Sequence, residues 1–367
     1  MNLSVGIVGL PNVGKSTLFN ALLKKQVAQS SNYPFTTIEP NVGVVEVPDS
    51  RLPVLAKIVN TQKIVPAVIK FVDIAGLVKG ASTGEGLGNK FLSHIREVDV
   101  ICEVVRGFTA GEVVPTGINP KSDIEIVNSE LILADLGTLD KQVEPRGAVL
   151  KEDKLKWDMI IKLKEELNKG VLAKDVQLTA EETKRIKELN LLTIKPIIYV
   201  FNVDEDRVKN EDGSLSPMTG SKNIISLAIS AKIEAELADL SFEEQKDYLK
   251  QLGLQSSGLE RLITLAYKTL GLISFLTAGE KSSFAKASEG RGEVRAWTIE
   301  KGMKAPQAAG VIHTDFEKGF IKADVISYDQ FVELKGWQKA REVGKVRSEG
   351  KEYTMNDGDV VEFRVNV

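Results

Sequence analysis

Cysteine and histidine are nearly absent from this chain, with one cysteine and two histidines in 367 residues. A single thiol excludes an internal disulfide framework, and the apolar neighbours of Cys102, Val100, Ile101, Val104 and Val105, read as a buried structural position. No run of eighteen apolar residues occurs, which gives no candidate for a membrane-spanning helix. The N-terminus lacks a basic stretch followed by an apolar one, so no signal peptide is expected and the cytoplasm is the expected location. A net charge of −3 excludes a globally basic chain, and a nucleic-acid role would have to come from a local patch. What is present is ordinary for a globular protein, 43% hydrophobic and 27% charged residues, over a length sufficient for two or three domains.

Against that background one stretch stands out. Residues 9–16 read Gly-Leu-Pro-Asn-Val-Gly-Lys-Ser, a complete G-x-x-x-x-G-K-S loop. Glycines let backbone N–H groups turn inward around phosphates, Lys15 reaches the β and γ oxygens, and the Ser16 hydroxyl suits Mg2+. The context is right: residues 3–8 form a short apolar run, and residues 16–24 carry Leu18, Phe19, Leu22 and Leu23 at helical spacing. An anion would then meet a helix N-terminus. Asn12, Val13, Gly14, Lys15, Ser16 and Thr17 are therefore the expected nucleotide-binding residues.

Further elements follow in order. Asp73-Ile74-Ala75-Gly76 closes an apolar run, which puts a carboxylate at a strand end where it can hold Mg2+ through water, and Gly76 lets the backbone approach the γ-phosphate. Residues 33–37, Tyr-Pro-Phe-Thr-Thr, offer loop hydroxyls, of which Thr37 is the expected third metal-side group. The metal residues are thus Ser16, Thr37 and Asp73, and the groups expected to act on the reacting phosphate are Lys15, Thr37 and Gly76. Residues 202–205, Asn-Val-Asp-Glu, occupy the place where GTPases carry Asn-Lys-x-Asp. There an aspartate accepts guanine N1–H and the 2-amino group, donors that adenine lacks. Here the fourth position is the longer Glu205, which weakens the case for guanine. Ser230 and Ala231 fit the loop that backs the base.

Short apolar runs at 42–47, 67–72, 100–105, 196–201 and 224–229 complete the pattern of a parallel α/β sheet. Residues 129–143, 155–167 and 179–189 are helical in pattern, the last opened by a Thr179/Glu182 capping box. They read as an inserted hairpin, with ordinary crossover helices of the sheet as the alternative. After a helix at 259–270 and a small, polar, Gly/Ser-rich loop at 281–293, strands at 294–299, 320–325 and 360–365 and a helix at 305–313 form a small α+β module. The expected division is a nucleotide domain at 1–128 and 196–278, a helical insert at 129–195 and a final domain at 279–367. In the last, Lys335, Lys339, Arg341, Lys345, Arg347 and Lys351 with Trp337 make a candidate RNA-facing patch.

Residues 9–17, 32–41, 73–88, 202–205 and 305–320 closely resemble the YchF or Obg-like ATPases, a branch of the P-loop GTPases, and the resemblance spans nearly the whole chain. It implies a Ras-like P-loop NTPase domain, an inserted helical hairpin and a C-terminal TGS domain of ubiquitin-like β-grasp shape. It further implies ATP as the substrate because of Asn-x-x-Glu at Asn202 and Glu205, with GTP as the alternative, Mg2+ as cofactor, and association of a monomer with the large ribosomal subunit or the 70S particle and its rRNA. Two departures bear on hydrolysis. The position where Ras-like enzymes carry a water-orienting glutamine is Leu77, and the family's loop histidine is replaced near Val114. His94 and His313 read as structural or surface residues. A non-catalytic nucleotide-gated binding module therefore remains the second alternative. The glycines of residues 79–88 suggest a switch rather than a fixed helix.

Overall fold

A computed structural model describes residues 3–29, 41–74, 87–108, 119–145, 151–208, 224–279 and 292–366. The first sheet is built from β1 (Ser4–Gly9), β2 (Val42–Glu46), β4 (Val68–Asp73), β5 (Val100–Arg106), β6 (Ile197–Asn202) and β7 (Ile225–Ile229), in the order β2-β4-β1-β5-β6-β7. All pairings are parallel except that of edge strand β2 with β4. All residues of β1 and β6 are buried, as expected of strands covered on both faces, whereas β2 alternates.

One face is covered by α1 (Lys15–Gln29) and α10 (Gly258–Thr269), packed with Val5, Ile7, Cys102, Ile198 and Val200. The other carries α3 (Leu87–Glu97) and α4 (Pro120–Leu139). Helix α4 starts earlier than the apolar spacing suggests, at Pro120 behind an Asn119 cap whose side chain accepts from Ser122 N at 3.2 Å. Its first half buries Ile124 and Val127 in the same cluster as Ile101 and Val105 of β5, and its second half pairs with α5 (Lys151–Asn168). The expected start of the insert at 129 therefore lies inside α4, because one helix serves both the sheet and the hairpin. The Thr179/Glu182 capping box opens α6 (Ala180–Ile186). Asp135, fully buried on α4, accepts from Leu192 N and Thr193 N, both at 2.8 Å, and from Thr193 Oγ1 at 2.7 Å. It pins the chain as it returns to β6. Burial raises its carboxyl above the usual range despite these donors.

The second sheet is mostly antiparallel and runs β11-β10-β12-β8-β9-β3, from β3 (Lys63–Val65), β8 (Leu272–Ala278), β9 (Glu293–Glu300), β10 (Phe320–Ser327), β11 (Arg347–Glu349) and β12 (Asp359–Val365). Three of its strands, β3, β8 and the short β11, were not read from the sequence. β8 follows α10 after only Leu270 and Gly271, and pairs with β9 and β12, so the boundary expected at 279 falls within a hairpin of this sheet. β3 comes from the N-terminal part of the chain and adds in parallel to β9, Ile64 opposite Val294. Helices α11 (Ala305–Ile312) and α12 (Thr314–Lys318) lie on one face, with Ala305, Ala308 and Ala309 packed on Phe275, Phe320 and Phe363. On the other face, α2 (Arg51–Ile58), α13 (Tyr328–Glu333) and α14 (Trp337–Glu342) join one apolar cluster with the first sheet.

Candidate functional site

The loop between β1 and α1 has little conformational choice. A Cβ on Gly9 would come within 2.7 Å of the Val104 carbonyl oxygen on β5. Asn12 has φ 63°, a left-handed conformation that asparagine tolerates. Gly14 has φ 94°, and a Cβ there would lie 2.2 Å from Asn202 Nδ2. The chain then enters α1 with Leu18 N donating to Gly14 O at 3.0 Å. The first-turn amides of an α-helix have no intrahelical acceptors, so this end offers backbone donors and a positive dipole to an anion.

Lys15 Nζ contacts the Asp73 carboxylate directly, the two side chains being 11% and 19% exposed. Asp73 ends β4, and its backbone N donates to Asn41 O at 2.8 Å just before β2. The expected ammonium and carboxylate thus meet, although 58 residues separate them. Ser16 and Thr17 are exposed in the first turn of α1. A hydroxyl and a carboxylate are hard oxygen donors of the type Mg2+ accepts, and Mg2+ is usually held by few protein groups together with phosphate and water oxygens. Among the described residues no group of three His, Cys, Asp or Glu could hold a metal on its own, which leaves that shared mode. Thr37, Gly76, Leu77 and Val114 lie outside the described residues, as do 79–86, while Leu87 and Gly88 open α3.

At the other end Asn202 closes β6. Its side-chain amide is spent on the scaffold: Nδ2 donates to Val13 O at 3.0 Å, and Oδ1 accepts from Ala231 N at 2.9 Å. It ties the phosphate loop to the turn after β7, and the residue is buried. Ser230 and Ala231, at the start of α8 (Ala231–Leu237), are buried beside it. Glu205 opens the short α7 (Glu205–Val208) and is 2.7 Å from Lys232 Nζ, in an exposed ion pair. Sequence spacing located Asn202 and Glu205 but did not reveal that one is a clasp and the other is held by a lysine.

Glu103 was missed. It lies in β5 between Val8 and Tyr199 on the neighbouring strands, fully enclosed, with Oε2 finding no hydrogen-bond partner among the described residues. Burial pushes its carboxyl well above the usual glutamate range, and the charge of Asp123 on α4 adds to this. The available signal was one acidic residue within an apolar strand run. Cys102 next to it is buried too, its thiol pushed up to about 12 by burial and by Glu103, as its apolar neighbours suggested. His94 and His313 are exposed, and His313 Nδ1 accepts from Asp315 N at 3.2 Å in a local cap.

The basic residues of the last domain are exposed. Arg341 pairs with Glu362 at 2.6 Å and Arg347 with Glu349 at 3.4 Å, whereas among the described residues Lys335, Lys339, Lys345 and Lys351 make no ion pair. Trp337 corrects an expectation. It is 9% exposed, donates Nε1–H to Ala278 O at 2.7 Å and meets Phe331 edge-on, so it belongs to the core and offers no face for a base.

Comparison with known proteins agrees with this geometry. Residues 4–134 match the family described as "50S ribosome-binding GTPase", and residues 272–366 match the YchF GTPase C-terminal family, described as "Protein of unknown function (DUF933)". The "Ribosome-binding ATPase YchF" of Bacillus subtilis is 50% identical over 378 positions, and that of Escherichia coli O157:H7 is 46% identical over 376, with 100% of both chains covered in each case. The solved YchF GTPase of Schizosaccharomyces pombe superposes with a TM-score of 0.85 at 37% identity, covering 99% of this chain and 98% of that one. A GTP-binding protein from Pyrococcus horikoshii shares the fold, with a TM-score of 0.60 at 22% identity. No helix among the described residues is long and apolar enough to cross a membrane.

Proposed function

The chain belongs to the YchF family, and from that premise we propose that it is a Mg2+-dependent ATP-hydrolysing switch that associates with ribosomes as a cytoplasmic monomer. The observation that carries this is the convergence at one end of the first sheet of the loop at 10–14, the Lys15–Asp73 contact and the Asn202 clasp. Relatives of near half identity are named ribosome-binding ATPases over the full length of the chain.

In this reading the amides of 12–17 and the Lys15 ammonium grip the β- and γ-phosphate oxygens, acting through charge-assisted hydrogen bonds. Ser16, Thr37 and Asp73 would hold the metal, and Mg2+ would neutralise the charge that develops on the transferred phosphoryl group. Gly76 brings backbone N–H to the γ-phosphate. Leu77 cannot orient water, so the attacking water is placed by another group, which a partner can supply, or hydrolysis is slow. Asn202, Ser230 and Ala231 shape the base site, and Glu205 stands at its rim.

The preference for ATP over GTP follows from Glu205. Guanine discrimination needs a carboxylate free to accept two hydrogen bonds, and this one is longer than aspartate and engaged by Lys232. The C-terminal sheet is read as a TGS module of β-grasp type whose lysines, Lys335, Lys339, Lys345 and Lys351, face ribosomal RNA. Calorimetric titration with ATP and GTP in Mg2+ tests the base preference, and a hundredfold advantage for GTP would overturn it. Single-turnover phosphate release with and without ribosomes tests catalysis. Release at background in both cases would favour the second reading, a nucleotide-gated binding module, which Leu77 motivates.

A further inference from the structure

The strand pair β2–β4 has the nucleotide site at one end and the C-terminal sheet at the other. At the site end, Asp73 touches Lys15 and its N–H binds Asn41 O. At the far end, Val47 N donates to Ala67 O at 2.8 Å, closing the ladder, and between them residues 48–66 leave the first sheet altogether. Helix α2 packs on β9 and α13 of the other domain, in an apolar cluster that also reaches the first sheet. Leu52, Leu55, Ala56 and Val59 are buried in a cluster with Phe331, Trp337 and Ala340, and β3 extends the C-terminal sheet beside β9. Thr61 Oγ1 donates to Gly292 O, and Lys63 pairs with Glu293 at 2.9 Å.

Arg51 fixes the start of this segment on both sides. Its Nε and Nη2 donate to Asp49, each at 2.8 Å, and Nη1 donates to Asp357 Oδ2 at 2.8 Å in the turn before β12. The other oxygen of Asp357 accepts from Ser274 N of β8 at 2.8 Å, so one guanidinium reaches two strands of the C-terminal sheet through a single carboxylate. The turn is shaped to admit it: Gly358 has φ 82°, and a Cβ there would lie 2.7 Å from Arg51 Nη1.

We propose that residues 47–67, clamped by Arg51 between Asp49 and Asp357 and continued into the C-terminal sheet through β3, form the mechanical relay by which nucleotide state reaches the C-terminal domain. Among the described residues β2 is an edge strand paired with β4 alone, while β4 is also laddered to β1, so a load at Asp73 is carried along β4 and its β2 partner as a shift against the β1 ladder. A phosphate tail that draws Lys15 from Asp73 changes the load at one end of that hairpin. The segment at the other end cannot follow without moving β9 and the Asp357 turn. Allosteric coupling requires an element whose equilibrium both sites bias, and this hairpin with its continuation touches both. The relay rests on the proposal that Lys15 and Asp73 sense a triphosphate.

Hydrogen exchange of the full chain, with a non-hydrolysable ATP analogue and with ADP in Mg2+, reads the relay directly. Amides of 272–278 and 293–300 are expected to differ in exchange by at least about threefold between the two states. Arg51→Ala should bring that difference close to none while calorimetry finds both nucleotides still bound. If Arg51→Ala fails to fold, Asp357→Asn, which keeps the side-chain volume and removes the charge, must do the same. Equal exchange in both states of the natural protein, with both nucleotides bound, overturns the relay and leaves the nucleotide reading intact. A difference that survives in the folded variants also overturns it. Absence of calorimetric binding by the natural protein defeats both readings together.

Discussion

The two ends of the proposed nucleotide site are built by opposite means. The phosphate end is made of backbone and buried side chains: Gly14 with no room for a Cβ, Val13 tied by its carbonyl, and Asn202 enclosed with both polar atoms engaged. The base end is an exposed glutamate–lysine pair on the surface of α7 and α8. A buried hydrogen bond cannot be exchanged for water without cost, whereas an exposed ion pair can, so the phosphate grip is rigid and the base rim is adjustable. Fold changes in affinity should follow that ranking.

Lys15→Ala gives the largest effect. It removes the ammonium proposed to grip the phosphates, and charge-assisted bonds to an anion are worth about 1.5–3 kcal/mol each. Calorimetry should show nucleotide affinity lower by roughly 100-fold or more, with a melting temperature close to that of the natural chain. Gly14→Ala follows. The introduced Cβ would have to displace the Asn202 amide, and the positive φ adds strain of about 1–2 kcal/mol for any residue but glycine. Both thermal stability and nucleotide affinity should fall, which separates this variant from Lys15→Ala.

Asn202→Ala probes the clasp without the steric clash. It leaves Val13 O and Ala231 N buried and unpaired, at about 1–3 kcal/mol for each group. Denaturant titration should show a loss of that order, and ATP and GTP should weaken together. A selective loss of one nucleotide would mean that Asn202 reads the base rather than holding the loop, and would break the comparison between the two ends.

Much of the phosphate end was legible in the sequence, because a strand, a glycine loop and a helix that are contiguous along the chain constrain one another. Asp73 was legible for a similar reason, as an acid at the end of an apolar run. The rest depends on contacts that spacing does not encode. Arg51 and Asp357 are 306 residues apart, and neither sits in a motif. β3 is three residues long and β8 follows helix α10 with almost no break, so neither shows a strand period of its own. Trp337 looked like a surface aromatic among lysines, since its neighbours are charged. The short α14 turns the ring inward, and the indole N–H finds a carbonyl.

Glu103 supplies a test of the rigid interior. Its folded carboxyl titrates well above the usual 4.5, so the native protein holds a proton that the unfolded chain gives up. The associated stability is fully present below that pH and drains as pH rises, by about 1.4 kcal/mol per pH unit, until the folded group ionises as well. Glu103→Gln keeps the shape without the proton. Denaturant titrations from pH 4 to 8 should find it equal to the natural chain at the acid end and more stable near neutrality, about 1.4 kcal/mol for each pH unit in the window. A flat difference across the series would place an ionised partner near Glu103.

The smallest effect belongs to the base rim. Lys232 and Glu205 are 72% and 40% exposed, and pairs of that kind contribute about 0–1 kcal/mol. Lys232→Ala should leave the melting temperature almost unchanged and free the Glu205 carboxylate. Freed, it can turn toward guanine donors, so the ATP-to-GTP affinity ratio should move toward GTP by less than about fivefold, the factor that about 1 kcal/mol allows. Raising ionic strength should erase even this difference, since the pair lies in water. A shift above tenfold that persists in high salt would mean that the lysine acts on the base site from a desolvated position, and the contrast between a rigid phosphate grip and an adjustable rim would fail.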